Sequence, residues 1–213
     1  MRFKRGGLKM KKTAAVLLLL LISMIPAFLS ADDIKFLAGV SLANYRSVSG
    51  SYPVSPQAQT RFIAGIGLVI PFYWGQYTDE AKVLGEFDIL FIQKGCRADT
   101  GGLKGDFNLD EISVPLTWKF KFSSGTSPFI MAGAEAAYVI SYENKDTGTL
   151  DLKPEISSFD YGLILGGGFQ LMLDSFKGEI EIRYHYGLAD LGKDEADSHF
   201  KTSTIVVAAG FIF

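Results

Sequence analysis

The chain has 213 residues, 13% of them aromatic, with 23 glycines and a formal net charge of −2. Six of its 21 bases (Arg2, Lys4, Arg5, Lys9, Lys11, Lys12) and none of its acids fall in residues 1–31, leaving 15 bases against 23 acids in the rest. A domain of that sign excludes nucleic acid as a partner, and a single cysteine, Cys96, excludes an intramolecular disulfide or a cysteine-built zinc site.

The basic start runs into TAAVLLLLLISMI (13–25), then Pro26 and small residues up to Ala31. A charged segment, about a dozen apolar residues and a small-residue cut site make a secretory signal peptide, too short for the roughly 20 apolar residues of a membrane helix. Residues 1–31 are therefore read as a cleaved signal peptide, with Met10 an alternative start, and 32–213 as one exported domain. No cysteine follows the apolar run to carry a lipid, and no later stretch is apolar for the length of a membrane helix.

Eight amphipathic segments follow. In 35–45 the apolar set is Phe36, Ala38, Val40 and Leu42, and RSVSGSYPVSPQAQ (46–59) reads as a loop. In 60–72, Phe62, Ala64, Ile66, Leu68, Ile70 and Phe72 alternate with Arg61, Gly65 and Gly67. In 82–94, Val83, Phe87, Ile89 and Phe91 oppose Glu86, Asp88 and Lys94, before the glycine-rich stretch 95–109. In 110–122, Ile112, Val114, Leu116, Trp118 and Phe120 oppose Glu111, Ser113, Thr117, Lys119 and Lys121. After the SSGTS turn, 128–142 carries Ile130, Ala132, Ala134, Ala136, Tyr138 and Ile140 with Glu135 facing the other way, and 143–158 reads as a loop. In 159–173, Phe159, Tyr161, Leu163, Leu165, Phe169 and Leu171 oppose Asp160, Gly162, Gly166, Gly168 and Gln170. GEIEIRYHYGL (178–188) alternates strictly, with Ile180, Ile182, Tyr184, Tyr186 and Leu188 against Glu179, Glu181, Arg183 and His185. An acidic loop, 189–200, leads to a last segment, 201–213, with Ile205, Val207, Ala209, Phe211 and Phe213 on one face.

Period-2 alternation is a strand signal. Segments of roughly 10–14 residues exceed the usual 5–6 of soluble strands and suit a tilted membrane strand of about 9–11. Long and short connections alternate, as in bacterial barrels with long outer loops and short periplasmic turns. Apart from Lys201 at a loop junction, the apolar faces carry no charge; a lipid-facing Lys or Arg at mid-bilayer costs about 2–4 kcal/mol. Lipid cannot satisfy a free sheet edge, so a spanning sheet must close. The expected fold is all-β, an eight-stranded antiparallel transmembrane barrel with up-and-down meander topology, preceded by a cleaved signal peptide. Phe72, Tyr73, Trp74, Trp118, Phe120, Phe122, Phe211 and Phe213 fall at one end and read as the periplasmic aromatic girdle.

The segments FLAGVSLANY, GEFDILFIQKG (85–95), ISVPLTWKFKF (112–122), SPFIMAGAEAAY (127–138), FDYGLILGGGFQL (159–171) and IEIRYHYGLADL (180–191), with a final strand ending in Phe, resemble the PorT-like outer-membrane β-barrel family of small porin-fold proteins. The likeness covers nearly all of the mature chain. It implies an outer-membrane location, no shared catalytic residues and, for some members, a part in secretion assemblies. It also implies that Phe211 and Phe213 on the terminal strand act as the signal read by the outer-membrane assembly machinery.

The expected luminal polar network comprises Arg61, Glu86, Asp88, Lys94, Glu111, Lys119, Lys121, Glu135, Asp160, Glu179, Glu181, Arg183 and His185. Eight strands enclose only enough room for side chains, so these groups are expected to pair and fill the interior as structural elements. No catalytic, cofactor or metal site is expected. Glu179, Glu181 and His185 share a face, but His199, the only other histidine, lies in a loop. DFNLDE (106–111) starts like a calcium loop yet lacks the glycine and the closing Glu of one. The expected partners are outer-membrane lipids, the assembly machinery and an extracellular or envelope protein at the four outward loops 46–59, 95–109, 143–158 and 189–200. The competing readings are a narrow passive pore, a soluble periplasmic lipid-binding barrel with the apolar face inward, and a subunit of a secretion assembly.

Overall fold

The computed structural model describes residues 33–50, 57–72, 82–100, 103–123, 125–144, 150–151, 156–173, 175–192 and 198–213. Residues 1–31, expected to be a signal peptide, and Tyr73 and Trp74 lie outside the described residues. Among the described residues nine strands form, in chain order: β1 (Asp33–Gly50), β2 (Gln57–Phe72), β3 (Lys82–Thr100), β4 (Leu103–Lys121), β5 (Ser127–Asn144), β6 (Leu150–Asp151), β7 (Phe159–Met172), β8 (Lys177–Gly187) and β9 (Ser198–Ile212). The two-residue β6 is a spur on the end of β5. The other eight pair antiparallel with their neighbours, β5 with β7 directly, and β9 returns to pair with β1. Closure is completed where Ile34 and Phe213 exchange two backbone hydrogen bonds of 2.9 Å. The sheet is thus a closed eight-stranded barrel with no free edge, as a lipid-embedded sheet requires.

The alternation on β8 decides which face is inside. Glu179, Glu181, Arg183 and His185 are at most 2% exposed, whereas Ile180 and Ile182 are 58% and 56% exposed. The same inversion holds elsewhere: Phe36, Phe62, Ile66, Leu116, Trp118, Ile130, Leu163 and Leu165 point outward. A soluble lipid-binding barrel would place these side chains in the cavity, and none of them is there.

The strands outrun their expected bounds. β3 and β4 have 19 residues each and stay paired up to Thr100↔Leu103. The stretch 95–109 is therefore mostly hairpin ladder rather than a long loop, with only residues 101 and 102 between the strands. Its glycines and charges look like loop signals because this part of the hairpin stands clear of lipid. At about 3.3 Å per residue and a tilt near 45°, 19 residues rise roughly 40–45 Å, against an apolar band of about 25 Å. DFNLDE accordingly lies in a paired strand, not in a metal-binding loop.

Inward glycines make room for this tight cylinder. A Cβ on Gly67 would collide with the Asp88 carboxylate, and one on Gly39 with the Val207 carbonyl across the strand pair. Gly178, by contrast, has nothing nearer than 3.8 Å. Gly67→Ala is therefore expected to destabilise the refolded barrel by about 1–3 kcal/mol and Gly178→Ala to leave it nearly unchanged. Urea midpoints in lipid vesicles check both; equal midpoints for the two variants would contradict the packing argument.

Candidate functional site

The interior is the place where charged side chains converge. At its lower level, nearer the ends of the chain, three bases meet four acids. Lys35 Nζ lies 2.5 Å from Glu86 and 3.0 Å from Glu181. Lys119 contacts Glu86 at 2.6 Å, pairs with Glu179, and sits 4.3 Å from the centre of the Phe129 ring. Arg183 uses its whole guanidinium: Nη2 to Glu86 at 2.6 Å, Nη1 to Asp88 at 2.7 Å and Nε to Glu181 at 2.6 Å. All seven side chains are buried. Lys121, below them, donates to Gln170.

A second polar group stands higher. Lys94 contacts Glu111 at 2.7 Å and Asp160 at 3.4 Å, and Thr202 donates to Asp160 at 2.8 Å. Glu135 accepts from Ser113 at 2.7 Å and meets His185 Nδ1 at 2.8 Å. Serine and histidine both contact the carboxylate, so His185 does not stand between Ser113 and the acid as a nucleophilic relay needs. Arg61 differs from the rest of the set: it is half-buried at the outer mouth and pairs with Asp106 at 2.8 Å.

The interior is less uniformly polar than the sequence suggests. Along the inward face of β3 the order is Glu86, Asp88, Leu90, Ile92, Lys94, Cys96, all buried. Leu90 and Ile92 pack with Leu37, Ile63, Val206 and Ala208, while the β8 side stays polar at mid-height. Val69, Leu84 and Ile212 close the lower end. At the upper end Tyr45, Cys96, Leu109, Val139, Tyr142, Ile156, Ala189 and Leu191 form a plug, joined by Phe107 and Phe200. Tyr45 and Phe200 meet at a tilt with ring centroids 4.9 Å apart. The connections after β5 and β8 reach into this plug: Ile156 bridges to Gly192, and Ser157 N–H donates to the Leu191 carbonyl at 2.8 Å. Cys96, which falls in the glycine-rich stretch 95–109 of the sequence, is thus enclosed in the plug.

Lys35 is the main interior group that the sequence reading missed. Its parity gives it away, since Phe36, Ala38 and Val40 beside it point to lipid. Leu90 and Ile92 share the parity of Asp88 and Lys94, so the same argument turns them inward, but it gives no packing partners for them.

On the outside, aromatic side chains gather at two heights. Trp118, Phe120, Phe122, Phe211 and Phe213 are exposed at the lower end, where Phe36 and Phe176 join them; Phe36 and Phe213 meet edge to face at 6.3 Å. A second belt, not foreseen, holds Tyr138, Phe159, Tyr161, Tyr184 and Tyr186. Arg46 covers it, its guanidinium 4.0 Å over the Tyr186 ring and donating to the Gly187 carbonyl at 2.7 Å. Paired aromatic belts flanking an apolar band mark the two membrane–water boundaries. Among the described residues, no group of three or more His, Cys, Asp and Glu side chains is arranged to hold a metal ion.

A family model described as the outer membrane protein beta-barrel domain matches residues 33–192. The chain belongs to that family. Among solved structures, the outer membrane protein OprG from Pseudomonas aeruginosa is 13% identical with a TM-score of 0.50, covering 86% of this chain and 97% of its own. The E. coli outer membrane protein W is 15% identical with a TM-score of 0.43, covering 86% and 99%. The outer membrane enzyme PagL is 14% identical with a TM-score of 0.44, covering 85% and 98%. No curated protein matches the sequence. The protein is an outer-membrane β-barrel, and the charged interior described above is the inside of that barrel.

Proposed function

We propose that this barrel is a non-enzymatic, non-conducting envelope protein of the PorT-like kind, exported on the leader 1–31 and inserted through recognition of Phe211 and Phe213 by the assembly machinery. Its work is structural or done at the surface, through the strand extensions and loops beyond the outer aromatic belt. One observation carries this reading: the lumen is occupied. Two ion-pair groups fill it, and apolar clusters lie at both ends. A conducting path would need water along the axis, and buried charges that bind one another this closely leave little room for it.

The experiment is single-channel recording of the refolded protein in planar bilayers, paired with membrane fractionation and heat-modifiable gel mobility of the expressed protein. The barrel is expected in the outer-membrane fraction, mobility-shifted by boiling, with no steady conductance steps. Large regular steps would overturn the filled-lumen reading in favour of a pore. Recovery in the periplasmic supernatant would overturn the location.

A further inference from the structure

The outer end of β2 carries a feature that the filled lumen does not use. Its regular pairing with β3 lapses between Ala58 and Ile63, where the register shifts by one residue. Beside this break lies an open depression of about 380 Å³ lined by Gln57, Gln59, Thr60, Arg61, Arg97 and Asp106. Bulges of this kind re-aim side chains and recur next to binding sites.

The chemistry of the lining is one-sided. Two guanidinium groups share one carboxylate, Arg61 at 2.8 Å from Asp106 and Arg97 at 3.9 Å. Arg97 is 57% exposed in its side chain, so most of its donors face water. Arg61 Nη2 donates to Gln59 Oε1 as well as to Asp106, and its Nε is buried with no hydrogen-bond partner among the described residues. The site therefore keeps a net positive charge, with solvent-facing donors on Arg97, beside the Gln57 and Gln59 carboxamides, the second of which already accepts from Arg61, and the Thr60 hydroxyl. Guanidinium groups match the oxygens of a phosphate in charge and geometry, and amides and hydroxyls suit sugar hydroxyls. The volume falls within the roughly 300–1,000 Å³ of small-molecule sites, larger than a bare ion needs. The depression lies at the loop end of the barrel, opposite the Ile34–Phe213 closure.

We propose that the Arg61–Arg97 depression binds a phosphate ester carried on a saccharide at the outer surface. The inference uses the barrel's orientation but not its lack of conductance, so the two can fail separately. The phosphate can belong to a phosphorylated glycolipid of the outer leaflet or to a free sugar phosphate, and the experiment separates these.

Refolded barrel comprising residues 32–213 in detergent micelles is titrated calorimetrically with N-acetylglucosamine 1-phosphate and, as a control, N-acetylglucosamine. The barrel in nanodiscs containing phosphorylated or phosphatase-treated lipid A forms the second arm. Saturable binding is expected only with phosphorylated probes. Binding of the soluble ester assigns a free saccharide; binding confined to phosphorylated lipid A assigns a glycolipid. Arg97→Gln is expected to weaken binding about tenfold. Asp106→Asn is expected to strengthen it severalfold, because it frees both guanidinium groups from their shared carboxylate. Heat-modifiable mobility shows that each variant is folded. Absence of binding in both arms, equal binding of the dephosphorylated probes, an unchanged Arg97→Gln affinity, or weaker binding by Asp106→Asn would each overturn the proposal.

Discussion

Arg183→Met is expected to lower the unfolding free energy of the membrane-inserted barrel by about 3–5 kcal/mol, the cost of breaking a buried ion pair by removing one partner. The side chain is fully buried, and its three nitrogens hold Glu86, Asp88 and Glu181 at 2.6–2.7 Å. Methionine fills much of the same volume but leaves those carboxylates facing Lys35 and Lys119 alone. Four acids would then share two bases in a space closed to water. Equilibrium urea unfolding in lipid vesicles, followed by tryptophan fluorescence, measures the loss. Adding Asp88→Asn to the variant is expected to restore part of it, since one uncompensated carboxylate is then neutral. If Arg183→Met unfolds at the parent midpoint, the lower cluster is not an interlocked unit.

The second large effect belongs to the opposite face of the same strand. Ile182 is 56% exposed and lies midway along β8, between Lys177 and Gly187. Ile182→Arg is expected to cost about 2–4 kcal/mol in a bilayer, the penalty for a base on the lipid face at mid-depth. Ile182→Ala, which removes apolar contact without adding charge, is expected to cost less. Refolding yield and urea midpoint in vesicles distinguish them. In a water-soluble barrel an outward arginine would be harmless, so a tolerant Ile182→Arg would undo the membrane reading. Arginine is thus expected to be needed at 183 and damaging at 182, within one residue.

That contrast also shows what the sequence made legible. Strand number and the split of each strand into an apolar and a charged face could be read from period-2 patterning, and strand length with the charge-free apolar faces turned the apolar side to lipid rather than to a cavity. GEIEIRYHYGL carried both faces without ambiguity. The strand ends could not be read. Gly95, Gly105 and Arg97 look like loop residues, yet they sit in a ladder that continues into water, where lipid no longer dictates composition. The interior was read only in its charged half. Parity turns Leu90 and Ile92 inward but not toward a partner: their packing against Ile63 and Val206 depends on which strands the closed cylinder brings opposite one another. Lys35 was missed for a local reason: it stands only two residues into the first strand, which begins at Asp33, where the alternation has barely begun. The register break at Ala58 and the depression beside it have no sequence signature of their own.

The joining of β1 to β9 carries a consequence for biogenesis. Every other long-strand pair links close neighbours in the chain, but this one matches Lys35 with Ile212 and Val40 with Val207. Until the last strand arrives, two rows of amide and carbonyl groups stand unpaired, which hydrocarbon does not tolerate. A half-made cylinder therefore has no resting place inside the bilayer. Either the wall curls shut at the surface before it sinks in, or another protein lends a provisional strand to each open side until the two rows find one another.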